Sequence, residues 1–196
     1  MSTVGNAEGA RGVAAALACA GADADTPALL VDVGGRTPRP ALLASAAAQK
    51  LEERLAGHLP QLRAAARGQV CHLAVPADPE GLEAAAAGVT VAREATAIIH
   101  VQPELLQEVL AQPSLRPASV LLRADLEQDR PLVALAVRDL LARDLAVAVL
   151  KRRLSWVVER RALFGVLPAG SPGGLPERLV RRLGVASTDT GFPAAA

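Results

Sequence analysis

The chain is predicted to be an α/β protein: three layers, with a mostly parallel sheet of about five strands and helices on both faces. Three observations carry that prediction. Short apolar runs recur at Ala28–Val33, Val70–Val75, Thr96–Val101, Ala118–Arg123 and Leu145–Leu150. Each is separated from the next by a helix-sized segment, as right-handed crossovers between parallel strands require. The runs are nearly continuous rather than alternating, as expected of strands covered on both sides.

Each element has its own signal. Gly12–Ala20 is apolar and alanine-rich, and Gly21 with the polar GADADTP stretch ends it as a helix. Ala28–Val33 follows as the first clear strand. Pro38 and Pro40 open a helix over Ala41–Leu55, in which Leu42, Leu43, Ala46, Leu51 and Leu55 recur near helical spacing. After a break at Pro60 the helix is expected to resume through Leu62–Arg67. Val70–Val75 is a strand closed by Pro76, and a helix from Pro79 to Ala87 stops at Gly88. A strand at Thr96–Val101, a short helix at Glu104–Ala111 and a strand at Ala118–Arg123 come next. Asp129–Arg143 carries the clearest amphipathic pattern: Leu132, Leu135, Ala136, Leu140 and Leu141 on one face, Arg138, Asp139 and Arg143 on the other. Residues 1–167 are assigned to one domain. Residues 168–196 are assigned to a glycine- and proline-rich linker and a flexible tail, with a short basic helix at Glu177–Leu183.

Composition narrows the classes. The 196 residues are 51% hydrophobic but only 2% aromatic, so the core is aliphatic. A net charge of +1 gives no global attraction to nucleic acid, which is not an expected partner. Alanine enrichment and arginine in preference to lysine fit a GC-rich bacterial genome. Cys19 and Cys71 are read as two buried thiols in a reducing compartment, with no metal-ligand spacing around them. No apolar run has the length of a membrane span, and MSTVGNAEGARG lacks the pattern of a secretory signal. A cytoplasmic location is expected.

Candidate chemistry begins at Asp32-Val33-Gly34-Gly35, at the carboxyl end of a strand, where open α/β sheets gather ligands. An aspartate there can hold magnesium through water, and two glycines let a phosphate approach the backbone. The alternative is a plain turn, capped by Asp32 and made by the glycines. His72 and His100 fall within strands and read as satisfied core or strand-end histidines. His58 has no companion, and no G-x-S-x-G elbow is present. Asp125 and Asp129 read as caps of the helix that follows, although a two-carboxylate site from Asp32 and Asp125 is open if the fold joins them.

The order of these pieces resembles the opening of the MinD/ParA family of deviant P-loop ATPases. Glycines in Val4–Leu17 lead into an alanine-rich helix, Glu8-Gly9 stands where that family has its signature Lys-Gly, and Ala28–Asp32 is similar to its VLLVD strand. Thr96–Pro103, with IIHVQPE, resembles the family's strand and proline turn. The resemblance implies a nucleotide-binding fold with Gly9, Arg11, Gly12, Asp32, Gly34 and Gly35 around the cofactor position. Two departures alter that implication. Arg11-Gly12-Val13 replaces the lysine followed by serine or threonine, and only Met1–Val4 precede the glycines, so the first strand is missing. Without the lysine the phosphate charge is unbalanced, and without the hydroxyl magnesium loses a ligand. Arginine's planar fork does not fill the place of a point charge. Hydrolysis is expected to be lost, and no cofactor is expected unless the degenerate loop still binds ATP and magnesium.

The second feature is the basic segment Lys151–Gly165. Lys151, Arg152, Arg153, Arg160 and Arg161 surround Leu154, Trp156, Val157, Val158, Leu163 and Phe164. As one amphipathic helix it would suit a protein partner's acidic groove or an anionic membrane surface. The alternative is an ordinary last helix that packs Trp156 and Phe164 on the sheet. The resulting expectation is a non-catalytic binding or regulatory module that contacts a protein partner. The rivals are an active nucleotide-binding enzyme using the Asp32 loop, and a self-associating structural subunit that forms a homodimer.

Overall fold

Apolar continuity and helical spacing translate into two ladders of strands with helices packed against them. The structure, a computed structural model, describes residues 2–4, 7–36, 43–115, 117–124, 130–151 and 163–166. In chain order these form β1 (Ser2–Val4), α1 (Ala7–Ala20), β2 (Ala28–Val33), α2 (Ala46–His58), β3 (Ala64–Arg67), β4 (Val70–Val75), α3 (Pro79–Val91) and β5 (Thr96–His100). A 3₁₀ turn at Pro103–Leu105 leads into α4 (Leu106–Ala111), and another lies at Pro113–Leu115. β6 (Ser119–Ala124), α5 (Arg130–Ala142), β7 (Ala146–Lys151) and β8 (Leu163–Val166) complete the set.

One ladder runs β3-β4-β2-β5 and the other β1-β6-β7-β8. Every pairing is parallel except the β3–β4 hairpin. The α/β class and the parallel character therefore hold, but the strand count of about five was too low. Ser2–Val4, where no strand was expected, form β1, which pairs with Leu122–Ala124. β3 replaces the expected helix at Leu62–Arg67. Gly68, at φ +57°, gives the two-residue turn into β4 the positive φ it needs, and the alanines of β3 then pair rather than coil.

Three apolar clusters show which helix covers which strand face. Leu29, Val31 and Val33 of β2 and Cys71, Leu73 and Val75 of β4 pack under Leu51 and Leu55 of α2 and Leu82 and Ala85 of α3. On the opposite face, Val13, Ala14, Leu17 and Ala18 of α1 meet Ala28, Leu30, Val70 and Ile98 of the first ladder. The same cluster includes Leu121 and Ala148 of the second, so α1 joins the two ladders. Val133, Val137 and Leu140 of α5 cover Val120, Leu122, Val147 and Val149.

Several boundaries moved. α2 starts at Ala46, where the Ser45 hydroxyl accepts from the Ala48 amide at 3.2 Å, rather than at Ala41. Gly88 does not stop α3; a side chain there would collide with Leu73, so the glycine is a close-packing position within the helix. In α5 the buried stripe is Val133, Val137 and Leu140, while Leu132 and Leu135 are 61% and 67% exposed. Cys71 is buried, as expected, but Cys19 is exposed.

The expected helix over Lys151–Gly165 is also corrected, at its two ends. Lys151 is the last residue of β7, paired with Ala124 and Val166, and Leu163–Val166 is a strand. β-branched and aliphatic runs at both ends favour pairing over a helix. Arg152, Arg153, Trp156, Arg160 and Arg161 lie outside the described residues, as do Asp125, Asp129 and the linker and tail at 168–196. Among the described residues, no helix is long and apolar enough to cross a membrane.

Candidate functional site

Side chains alternate along a strand, so β2 sends Leu29, Val31 and Val33 to one face and Leu30 and Asp32 to the other. Asp32 is therefore placed on the α1 side, beneath the first turns of that helix. In register, Asp32 lies beside His100, the last residue of β5. β4 sits on one side of β2 and β5 on the other, so the chain reverses direction across the sheet at this pair. That is the switch point where parallel sheets open a crevice beyond their carboxyl ends.

The geometry at this point is tight. His100 Nδ1 lies 2.7 Å from Asp32 Oδ1, with both residues nearly inaccessible, at 1% and 3% exposure. Arg11, from α1, places Nε 3.0 Å from Asp32 Oδ2 and donates through Nη2 to the Gly34 carbonyl at 3.2 Å. Burial pushes the Asp32 carboxyl up, but hydrogen bonding and charge from His100, then Arg11, outweigh it and hold the group below its ordinary value. Asp32 is thus a carboxylate already matched by two partners.

The glycines serve this arrangement. Gly34 adopts φ +73° and its amide donates to the Val75 carbonyl at 2.8 Å. Gly35 donates to the Asp32 carbonyl at 3.3 Å, and a Cβ on Gly35 would fall 1.9 Å from Asp32 Oδ2. The D-V-G-G stretch is therefore a turn whose glycine amides face backbone carbonyls. Gly9, Arg11 and Gly12, read from sequence as a loop around a cofactor, lie within α1. Arg11 and Gly12 lie beyond the first turn, where a helix uses its amides internally, whereas Gly9 is in the first turn, whose amides have no acceptor within the helix. Of the six expected cofactor residues, the structure brings together Arg11, Asp32, Gly34 and Gly35, and Gly12 lines the cavity beside Arg11 and Asp32.

A cavity of about 900 Å³ opens beside this cluster, against α1 and the faces of β2 and β4. Arg11, Asp32, His72 and His100 form a polar end; Ala14, Ala15, Leu30, Leu43 and Val70 form apolar walls; Arg67 and Gly68 lie at the wall beyond. Among the described residues, Nε2 of His72 and Nε2 of His100 are buried without a hydrogen-bond partner. Burial lowers the His72 pKa, with Arg11 and His100 adding to the effect and Asp32 opposing it. Both histidines were read from sequence as satisfied core or strand-end groups; His100 does end β5 and is satisfied at Nδ1 by Asp32, but Nε2 of each histidine has no partner. The available signal was their position: His100 ends an apolar strand, as Asp32 nearly ends its own. Register, which sets the two side by side, is not a property of either stretch.

Among the described residues, no group of three or more His, Cys, Asp or Glu side chains could hold a metal ion. No family model, curated protein or solved structure matches the chain.

Proposed function

We propose that the chain is a non-catalytic binding or regulatory module on a three-layer α/β scaffold similar to the MinD/ParA ATPases, with the nucleotide machinery degenerate. One observation carries this reading: the Asp32 carboxylate is closed by His100 at 2.7 Å and Arg11 at 3.0 Å. A carboxylate held in this way has no open face for hydrated magnesium, and Arg11, anchored to it and to Gly34, does not reach for phosphate. The Gly34 and Gly35 amides are likewise engaged, so the turn after β2 offers no open phosphate cradle. The large cavity beside the cluster is then the binding feature that the module retains.

The test is thermal stabilisation of the full chain by ATP, ADP or GTP with magnesium, in the wild type and Asp32→Ala. No nucleotide is expected to raise Tm. A ligand at one hundred times its Kd stabilises by about 2.7 kcal/mol. A shift of that size, abolished by Asp32→Ala, would instead establish a nucleotide site at the Asp32 loop.

A further inference from the structure

Asp32 has a further neighbour that it does not use. Two residues before it on β2 is Leu30, which is paired with His72 of β4. Side chains alternate along a strand, so His72 lies on the same face of the sheet as Asp32 and His100. One strand spacing sideways and two residues along put the His72 and Asp32 backbones about 8 Å apart, within reach of an imidazole. Both side chains line the cavity beside α1.

His72 does not bond to Asp32 in the structure; its Nε2 is buried and has no hydrogen-bond partner. A neutral imidazole tolerates this, since it can leave that nitrogen bare. An imidazolium carries a hydrogen on both nitrogens, and a buried N–H of a charged ring without an acceptor is costly. The groups around His72 set where such a ring must turn. Arg11 of α1 and Arg67 of β3 are cations, His100 of β5 is committed to Asp32, and the Cys19 thiol of α1 is a weak acceptor. Among the described residues lining the cavity, Asp32 of β2 is the only carboxylate. Burial, with Arg11 and His100, lowers the His72 pKa against the pull of Asp32, so the proton arrives below the ordinary value of 6.5.

Protonation then directs three side chains at one carboxylate, and they differ in their access to water. His100 is 1% exposed, whereas the Arg11 side chain is 35% exposed and can be solvated where it stands. We infer that protonation of His72 exchanges the partners of Asp32, His72 replacing Arg11 and the freed guanidinium turning to the cavity. Arg11 then also leaves the Gly34 carbonyl, so α1 loses its tether to the turn after β2. The exchange regulates the Asp32 site and rests on the reading that Arg11 and His100 close that carboxylate at neutral pH.

The experiment follows the full chain by ¹⁵N NMR, reading the His72 ring nitrogens and the Arg11 Nε–H signal from about pH 7.5 to about pH 4.5. The Asp32 carboxyl, held below its ordinary value, takes its own proton beneath that range. The Arg11 signal shifts with the midpoint at which His72 titrates. Its hydrogen exchanges with water roughly tenfold faster on the acid side, as loss of one charge-assisted hydrogen bond implies. In His72→Gln, which takes up no proton, Arg11 keeps its neutral-pH shift throughout; if that variant does not fold, the joint titration in the wild type decides alone. An Arg11 signal that stays while His72 titrates, one that moves equally in His72→Gln, or a His72 that takes up no proton across the range overturns the exchange. Stabilisation by magnesium ATP at neutral pH, abolished by Asp32→Ala, would overturn the closed-carboxylate reading itself, whereas failure of the joint titration alone removes only the switch.

Discussion

At the scale of single residues, Asp32 is the pivot, and its environment sets a pH dependence of known sign. Its carboxyl is held below the ordinary value, so the folded state binds that proton less readily than the unfolded state. The resulting stability is fully present above the unfolded value near pH 3.9 and is lost as pH falls through the lower folded value. Urea titrations across the acid range are expected to show wild type losing more stability than Asp32→Asn, which has no carboxylate to protonate. At neutral pH Asp32→Asn should itself cost about 2 kcal/mol, because Arg11 and His100 lose a charged partner. Gly35→Ala attacks the same point sterically: its Cβ would sit 1.9 Å from Asp32 Oδ2. A loss of about 3 kcal/mol is expected, with a changed His100 imidazole resonance, and an unchanged one would show that the turn yields instead of the ion pair. Asp32, Gly34 and Gly35 stood out because a carboxylate and glycines at a strand's end are visible in one dimension, whereas Arg11 was read only as part of a cofactor loop and its pairing with Asp32 was not legible. Nor were His72 and His100, because their roles come from strands paired across the fold.

At the scale of elements, sequence patterning located buried strands well and helix faces less well. β2 and β4 coincide with their apolar runs because a strand covered on both faces needs no periodicity to be recognised. The helix α5 shows the opposite case. Leu132, Leu135, Ala136, Leu140 and Leu141 suggested one stripe; Leu140 is in the core with Ala136 and Leu141 packed against it, but Leu132 and Leu135 are exposed and Val133 and Val137 are buried instead. Several overlapping apolar stripes fit the same helix, and only packing selects among them. Leu135→Lys is therefore expected to change stability by no more than about 0.5 kcal/mol, whereas Leu140→Ala, fully buried, should cost about 3 kcal/mol. Chemical denaturation of the two variants decides the face; a large loss for Leu135→Lys would restore the sequence-derived stripe. The two ends of Lys151–Gly165 were misread for a related reason: a basic apolar run fits an amphipathic helix in isolation, yet Lys151 belongs to β7 and Leu163–Gly165 to β8.

At the scale of the whole molecule, the sequence announced alternating strands and helices but not their division into two ladders, which is set by pairing order. That division makes α1 the element with the widest reach. Its Val13, Ala14, Leu17 and Ala18 share one cluster with Leu30 and Ile98 of the first ladder and with Leu121 and Ala148 of the second. α2, by contrast, buries Leu51 and Leu55 in a cluster with the first ladder. Two core deletions of the same chemistry should consequently have different spatial consequences. Leu17→Ala and Leu55→Ala each remove buried aliphatic volume worth about 3 kcal/mol. Native-state hydrogen exchange then distinguishes them, since it reports the opening energy of each strand separately. With Leu17→Ala, protection should fall in β2 and β5 and also in β6 and β7. With Leu55→Ala the loss should concentrate in β2 and β4 wherever exchange proceeds by sub-global opening. If Leu17→Ala leaves β6 and β7 fully protected while β2 weakens, the ladders are energetically independent and α1 belongs to the first alone. If both fall together, the helix that carries Arg11 to Asp32 is also the one that couples the two halves of the molecule. The site at the switch point would then share its mechanical support with the whole fold.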